Sequence, residues 1–308
     1  MPQDRSHLLT EQRLPESMAL DAMPLRDAVA LMNQQDARAV AAVGAVGDAI
    51  AAAVEQIVAG LRQGGRLFYV GAGTSGRLGV LDASECPPTF RTDPDLVQGI
   101  IAGGEAAMFR SQEGAEDRAE DGAAVIDARN VGPNDTVVGI AAGGTTPFVH
   151  GALQRAHQRG AATVFLTCVQ PFDGEPPADV VIRPLTGPEV VTGSTRLKAG
   201  TATKLVLNML STLAMVQLGK VYENLMVDLQ AGNEKLRDRA LRIVCTVTGT
   251  SRAHAQALLD QADGHVKLAI AMQLCGVDAA RARSLLEKAG GSLRAAVSAA
   301  LRPGPRPG

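Results

Sequence analysis

Arg66-Leu-Phe-Tyr-Val-Gly71-Ala-Gly73-Thr-Ser-Gly76-Arg-Leu-Gly-Val-Leu-Asp-Ala-Ser-Glu85-Cys-Pro-Pro-Thr-Phe-Arg-Thr92 is the stretch that decides how this chain reads. A short apolar strand, Leu67 to Val70, runs into a glycine and hydroxyl loop, Gly71 to Gly76. The loop opens a helix over 75–85, which the pattern ends at Pro87-Pro88, just after Glu85. Loop amides and hydroxyls at a helix N-terminus form an anion site, because unpaired N–H groups and the helix dipole both favour negative charge. A carboxylate about three turns further on supplies a proton-transfer group on the same element. The stretch points to a phosphorylated small molecule with acid–base chemistry beside it.

Outward from it, strands and helices alternate. Strands are expected at 66–70, 97–102, 135–141, 162–167 and 179–184, and helices at 75–85, about 106–128, 147–159 and 197–218. Each strand is short, rich in Val, Ile or Leu, and followed by turn residues. That pattern is α/β: a doubly wound, mainly parallel sheet covered on both faces, with ligands at the carboxyl ends of its strands. Before it, 1–24 is a polar, extended N-terminal arm. A helical pattern from Leu25 to Arg62 is interrupted near Gln34–Asp36 and carries Val40, Val43, Val46, Ile50, Val54, Ile57 and Leu61 at helical spacing. Its first reading is packing against the sheet or another subunit. The main domain is drawn over 25–248. Short helices punctuated by Gly249, Gly264, Gly276 and Gly290 then make a small C-terminal helical bundle over 249–302, and 303–308 is a tail.

The bulk numbers narrow the class. With 46% apolar residues but only 3% aromatics among 308, Leu, Val, Ala and Ile must build the core. A formal charge of -2, from 30 basic and 32 acidic residues, gives no attraction to nucleic acid or an anionic membrane. Cys86, Cys168, Cys245 and Cys275 are far apart with no Cys-x-x-Cys pair, and no His-x-x-x-His pair occurs, so no metal site is expected. Scattered cysteines, no signal-peptide pattern and no spanning apolar window point to a soluble cytoplasmic protein.

Gly71-x-Gly73-x-x-Gly76 also matches the dinucleotide fingerprint, which is weak alone. The adjacent hydroxyls Thr74 and Ser75 suit one compact phosphate better. A second loop of similar character, Gly143-Gly144-Thr145-Thr146-Pro147, follows the strand at 135–141 and opens another helix. Two such loops suggest a phosphosugar held between them, whereas either alone reads equally as a turn with a capping hydroxyl. In Glu189 to Ala202, Thr192, Ser194 and Thr195 are caps or ligand contacts. Lys198 and Lys204 read first as solvated, although Lys198 near a helix start has access to an anion. Glu85 lies among Val80, Leu81, Ala83 and Phe90, where burial would raise its pKa and favour the protonated acid. Glu113, Glu116 and Asp117 are further carboxylates, and spacing does not choose among them.

Gly-Ala-Gly-Thr-Ser-Gly-Arg-Leu, Asp-Ala-Ser-Glu-Cys-Pro-Pro-Thr-Phe, Ile101 to Glu105, Glu113 to Asp117, Glu189 to Ala202, Asn224 to Asp228 and Asn233 to Leu236 resemble the N-acetylmuramic acid 6-phosphate etherase family, which has the sugar isomerase (SIS) fold. The tail bundle resembles, on weaker motifs, a ubiquitin-associated-like domain. The resemblance implies cleavage of a D-lactyl ether at C3 of a phosphorylated amino sugar in cell-wall recycling, without a cofactor. It further implies a homodimer, with the helix at 37–62 as a candidate interface, and Glu85 and Glu116 as the acid and base pair. Thr74, Ser75, Gly144, Thr145, Thr146 and Ser194 are the expected substrate contacts. The chain departs from the family at Gly143, where a serine is frequent, and at Leu14, where an asparagine is frequent. Rival readings are a non-catalytic phosphosugar sensor like the glucokinase regulatory protein and an aldose–ketose isomerase.

Overall fold

The computed structural model describes residues 6–229 and 234–301, so Asn233 and the tail at 303–308 lie outside the described residues. Two compact units emerge, Met1–Ser84 with Pro94–Thr212 and Glu85–Asp93 with Leu213–Gly308.

The first unit opens with α1 (Leu25–Gly44) and α2 (Gly47–Arg62). β1 (Leu67–Gly71) then leads into α3 (Gly73–Phe90), and β2 (Val97–Ile101) follows. Next come a short α4 (Ala106–Phe109), α5 (Ala119–Ala128), β3 (Thr136–Ile140), α6 (Pro147–Gln158), β4 (Ala162–Leu166), β5 (Val180–Ile182) and α7 (Lys198–Gln217). The five strands are all parallel, in the order β2-β1-β3-β4-β5. Every residue of β1 and β3 is buried, which is why the sequence shows continuous apolar runs there rather than alternation. Phe68, Val70, Ile126, Val137, Phe148, Leu153 and Phe165 form an apolar cluster on this sheet.

All five strands fall where the sequence places them, but several helix bounds shift. The chain breaks at Ala45–Val46 with a 59° bend, not near Gln34–Asp36. Gly44 and Gly47 flank that break and are poorer helix formers than the polar residues upstream. The helix expected over 106–128 is split into α4, a 3₁₀ turn at Ala115–Asp117 and α5, because Gly114 takes a left-handed φ of 72°. α3 runs on through Pro87 and Pro88, whose fixed φ is helical, and ends where Arg91 takes a φ of 50°. The arm is not simply extended: it winds through three short 3₁₀ turns and buries Leu8, Thr10 and Leu14. α7 is long and apolar enough by length and composition to cross a membrane. In this fold 56% of its apolar window is buried, with Val206, Leu207 and Leu210 fully covered, so it serves as a core helix.

α5 and α6 approach closely through paired glycines. A Cβ on Gly122 would stand 1.9 Å from the Phe148 carbonyl oxygen, and one on Gly151 would stand 1.9 Å from that of Ala119. Gly151→Ala is expected to cost about 1–3 kcal/mol through forced separation of the helices, read as a lowered denaturant midpoint at unchanged slope.

The second unit contains a small antiparallel hairpin, β6 (Val221–Tyr222) and β7 (Leu225–Met226), absent from the sequence reading. Its helices are α8 (Glu234–Thr248), α9 (Arg252–Gln261), α10 (Val266–Cys275), α11 (Ala279–Lys288) and α12 (Leu293–Ala300). Ser251, Asp278 and Ser292 accept hydrogen bonds from the backbone N–H groups of His254, Arg281 and Ala295 and so start α9, α11 and α12. α10 is buried from Val266 to Met272. α8, grouped with the sheet domain by the sequence reading, shares α10's apolar cluster through Ala240, Ile243 and Val244.

Candidate active site

The sheet's strand order reverses between β1 and β3, the position where open α/β sheets bind ligands. A cavity of about 180 Å³ opens at the carboxyl ends of those two strands. Ala72, Gly73, Thr74 and Ser75 line it from the β1 loop, Ala142, Gly143 and Thr146 from the β3 loop, and Thr195, Gly200 and Thr203 from the start of α7. The N-termini of α3, α6 and α7 thus converge on one space, where α3 and α6 present their positive dipole ends and the first amides of α7 are already bonded to Glu189. No Lys or Arg lines the cavity, so an anion there is held by amides and hydroxyls.

Of the expected contacts, Thr74, Ser75 and Thr146 are brought together in this cavity. Thr145 lines a separate cleft of about 760 Å³ beside His150 and Phe172. Gly144 is absent from the cavity's lining, and its carbonyl accepts a 2.6 Å hydrogen bond from His150 Nε2. Ser194 does not line the cavity either; its neighbour Thr195 does. Thr203, missed in the sequence because a lone threonine in a helix carries no signal, is buried and supplies a further hydroxyl. At Gly143 a Cβ would meet only Thr10 Oγ1, at 3.7 Å, so there is room for a serine side chain. Ser75→Ala and Thr146→Val are each expected to raise KM for a phosphorylated substrate about tenfold, the order of one lost hydrogen bond to a charged group. Steady-state kinetics checks it.

Glu116 stands on the 3₁₀ turn Ala115–Asp117 and lines the cavity. It also lines an adjoining cavity of about 130 Å³, which shares Ala72 and Gly73 and adds Arg77, Ser111, Gln112 and Glu113. Geometry therefore singles out Glu116 where spacing could not, since Glu113 lines only the smaller cavity and Asp117 lines neither.

Glu85 corrects the sequence reading. α3 turns Ala83, Cys86 and Phe90 inward and leaves Leu81, Ser84, Glu85 and Pro88 exposed on one face at helical spacing. Among the described residues, the apolar cover expected around it is therefore absent.

One turn earlier, Asp82 is buried and accepts a 2.6 Å hydrogen bond from Asn208. Burial pushes its carboxyl up, while hydrogen bonding to Asn208, Ser211 and Tyr69 pulls it back down. Lys198, expected in solvent, is buried instead, and its Nζ donates to Gln35 Oε1 at 2.7 Å. Burial pulls its pKa down, opposed by Glu189. Glu189, fully buried, accepts 3.0 Å bonds from the backbone N–H groups of Lys198 and Ala199, which pins the start of α7 behind Thr195 and Gly200.

Residues 49–157 match the family described as the glucokinase regulatory protein N-terminal SIS domain. An N-acetylmuramic acid 6-phosphate etherase of Nostoc sp. is 60% identical over 270 residues, covering 88% of each chain. One of Thermosynechococcus vestitus is 58% identical over 268 residues, covering 87% of each. The chain belongs to the N-acetylmuramic acid 6-phosphate etherase family. Among solved structures it is similar to a phosphoheptose isomerase of Francisella tularensis, at 18% identity over 63% of this chain and 100% of that one, with a TM-score of 0.49. Within this etherase fold, one chain supplies the convergent helix ends, the hydroxyls and one motif glutamate. The second motif glutamate is exposed on α3.

Proposed function

We propose that the protein is a carbon–oxygen lyase that cleaves the D-lactyl ether of N-acetylmuramic acid 6-phosphate, giving N-acetylglucosamine 6-phosphate and D-lactate. One observation carries the reading at the site: three helix N-termini and a set of hydroxyls converge on a cation-free cavity whose wall holds Glu116. In the proposed reaction the phosphate sits on those helix ends, and no cofactor takes part. Ring opening exposes the C1 aldehyde and makes the C2 proton acidic. The Glu116 carboxylate removes that proton, the C3–O bond then breaks, and Glu85, as the acid, protonates the departing lactate oxygen. Water then adds at C3 of the unsaturated aldehyde, and a proton returns to C2. Each positioned proton transfer contributes about 10²–10⁴-fold, and the remote phosphate grip supplies orientation.

The unit of function in this proposal is a homodimer in which Glu85 of a second copy completes the site. Its exposure supports that arrangement. An apolar face is available for pairing. Leu25, Val29, Met32 and Val40 are 79%, 59%, 40% and 55% exposed at helical spacing along α1, most of them upstream of the 37–62 stretch expected to pair, within which Ile50, Val54 and Ile57 of α2 are buried. We assign the sheet unit to catalysis and the helical unit, which takes in α8, to an accessory role. All four cysteines are free, two of them buried, which supports a reducing cytoplasmic setting in cell-wall amino-sugar recycling.

Incubation with N-acetylmuramic acid 6-phosphate tests the reading. Equimolar D-lactate and N-acetylglucosamine 6-phosphate are expected. Binding without turnover would indicate a sensor, and conversion of an aldose phosphate to a ketose phosphate without lactate would indicate an isomerase; either overturns the reading.

A further inference from the structure

We propose that Arg77 is the carboxylate-binding residue of this site, seating an acidic arm of the ligand beside Glu116. The inference rests on the etherase reading and deepens it. Arg77 lies half-buried near the start of α3, and its Nε donates to the Met108 carbonyl at 3.0 Å while its Nη2 donates to that of Ala107 at 2.6 Å. Those two bonds hold the guanidinium plane and use two of its five N–H groups. Three N–H groups are left, two on Nη1 and one on Nη2, so a pair spanning the two terminal nitrogens is free to form the fork that matches a carboxylate. Among the described residues no carboxylate forms an ion pair with it. A half-buried cation without a counter-charge is costly unless a ligand supplies one.

Its location says which ligand. Arg77 lines the 130 Å³ cavity and is absent from the lining of the hydroxyl cavity, and Glu116 stands in the wall common to both. On one side of the proton-transfer group is an anion pocket built without cations. On the other is a pocket with one arginine and the neutral donors Ser111 and Gln112. Glu113 and Glu116, the two carboxylates that line the second pocket, are both exposed, so their charges are screened by water. The arrangement fits a ligand with anionic groups on both sides of the bond being broken. A C6 phosphate and a carboxylate carried on the C3 ether oxygen form such a pair. Arg77 then binds the group that leaves, and it separates acidic ethers from neutral ones.

The test compares the acid substrate with its neutral lactamide analogue, the carboxylate replaced by a primary amide. For the wild type, kcat/KM is expected to favour the acid by about 10²-fold, the order of a charge-assisted bond pair. Arg77→Met is expected to lose about that factor on the acid while keeping its rate on the amide, and Arg77→Lys, lacking the fork, to fall between. Since Arg77 also clasps the 106–109 turn, a purely structural role would slow both substrates by the same factor. That result, or equal wild-type rates on acid and amide, overturns the proposal. If the wild type releases nothing from the acid, the etherase reading falls first, a result seen before any variant is compared.

Discussion

Glu116→Gln is expected to lower D-lactate release by about 10²–10⁴-fold, the contribution of one positioned proton transfer, and to abolish deuterium exchange at C2 to a similar degree. The glutamine keeps the size and shape of the side chain and removes only its basicity. In the proposed binding mode the phosphate sits on the ends of α3, α6 and α7 beside Thr74, Ser75 and Thr146, away from Glu116, so KM is expected to stay close to that of the wild type. A loss confined to kcat marks a group that acts in the transition state. A variant that releases lactate at the wild-type rate removes Glu116 from the mechanism.

Glu85→Gln is expected to cost a comparable factor in lactate release, about 10²–10⁴-fold, with a different signature. Exchange at C2 needs only the base, so it persists in this variant while bond cleavage fails. The reverse pattern, exchange lost in Glu85→Gln and kept in Glu116→Gln, would interchange the two roles. Loss of exchange as well as cleavage in Glu85→Gln, with the native fold intact, would mean that C2 deprotonation and C3–O cleavage are coupled in one step.

Much of the architecture is legible in the chain because burial on both faces leaves a local mark. Leu67 to Val70, Thr136 to Ile140 and Ala162 to Leu166 are apolar runs closed by turn residues, and only a covered parallel strand tolerates such runs. The two glycine and hydroxyl loops are legible for a related reason, since each must turn sharply out of a strand and open a helix. What escaped depends on partners remote in sequence. Lys198 reads as a surface lysine until Gln35, 163 residues away, is placed against it. Pro87-Pro88 reads as a stop because local rules cannot see that the helix continues for only one more turn. Glu85 reads as buried from its apolar neighbours, but helical geometry puts Ala83, Cys86 and Phe90 on the covered side and the glutamate on the other. The third wall of the anion cavity, from Thr195, Gly200 and Thr203, is assembled by α7 folding back to the crevice, which no spacing in the sequence records.

A mixed dimer is the most direct measurement. Glu85→Gln and Glu116→Gln chains, carrying different tags, are co-expressed and their heterodimer is purified through both tags. If each site takes Glu116 from one copy and Glu85 from the other, the heterodimer has one intact site of two and recovers about half of the wild-type lactate release, although each parent homodimer is inactive. A heterodimer as inactive as its parents would contradict a shared site and return both glutamates to a single chain.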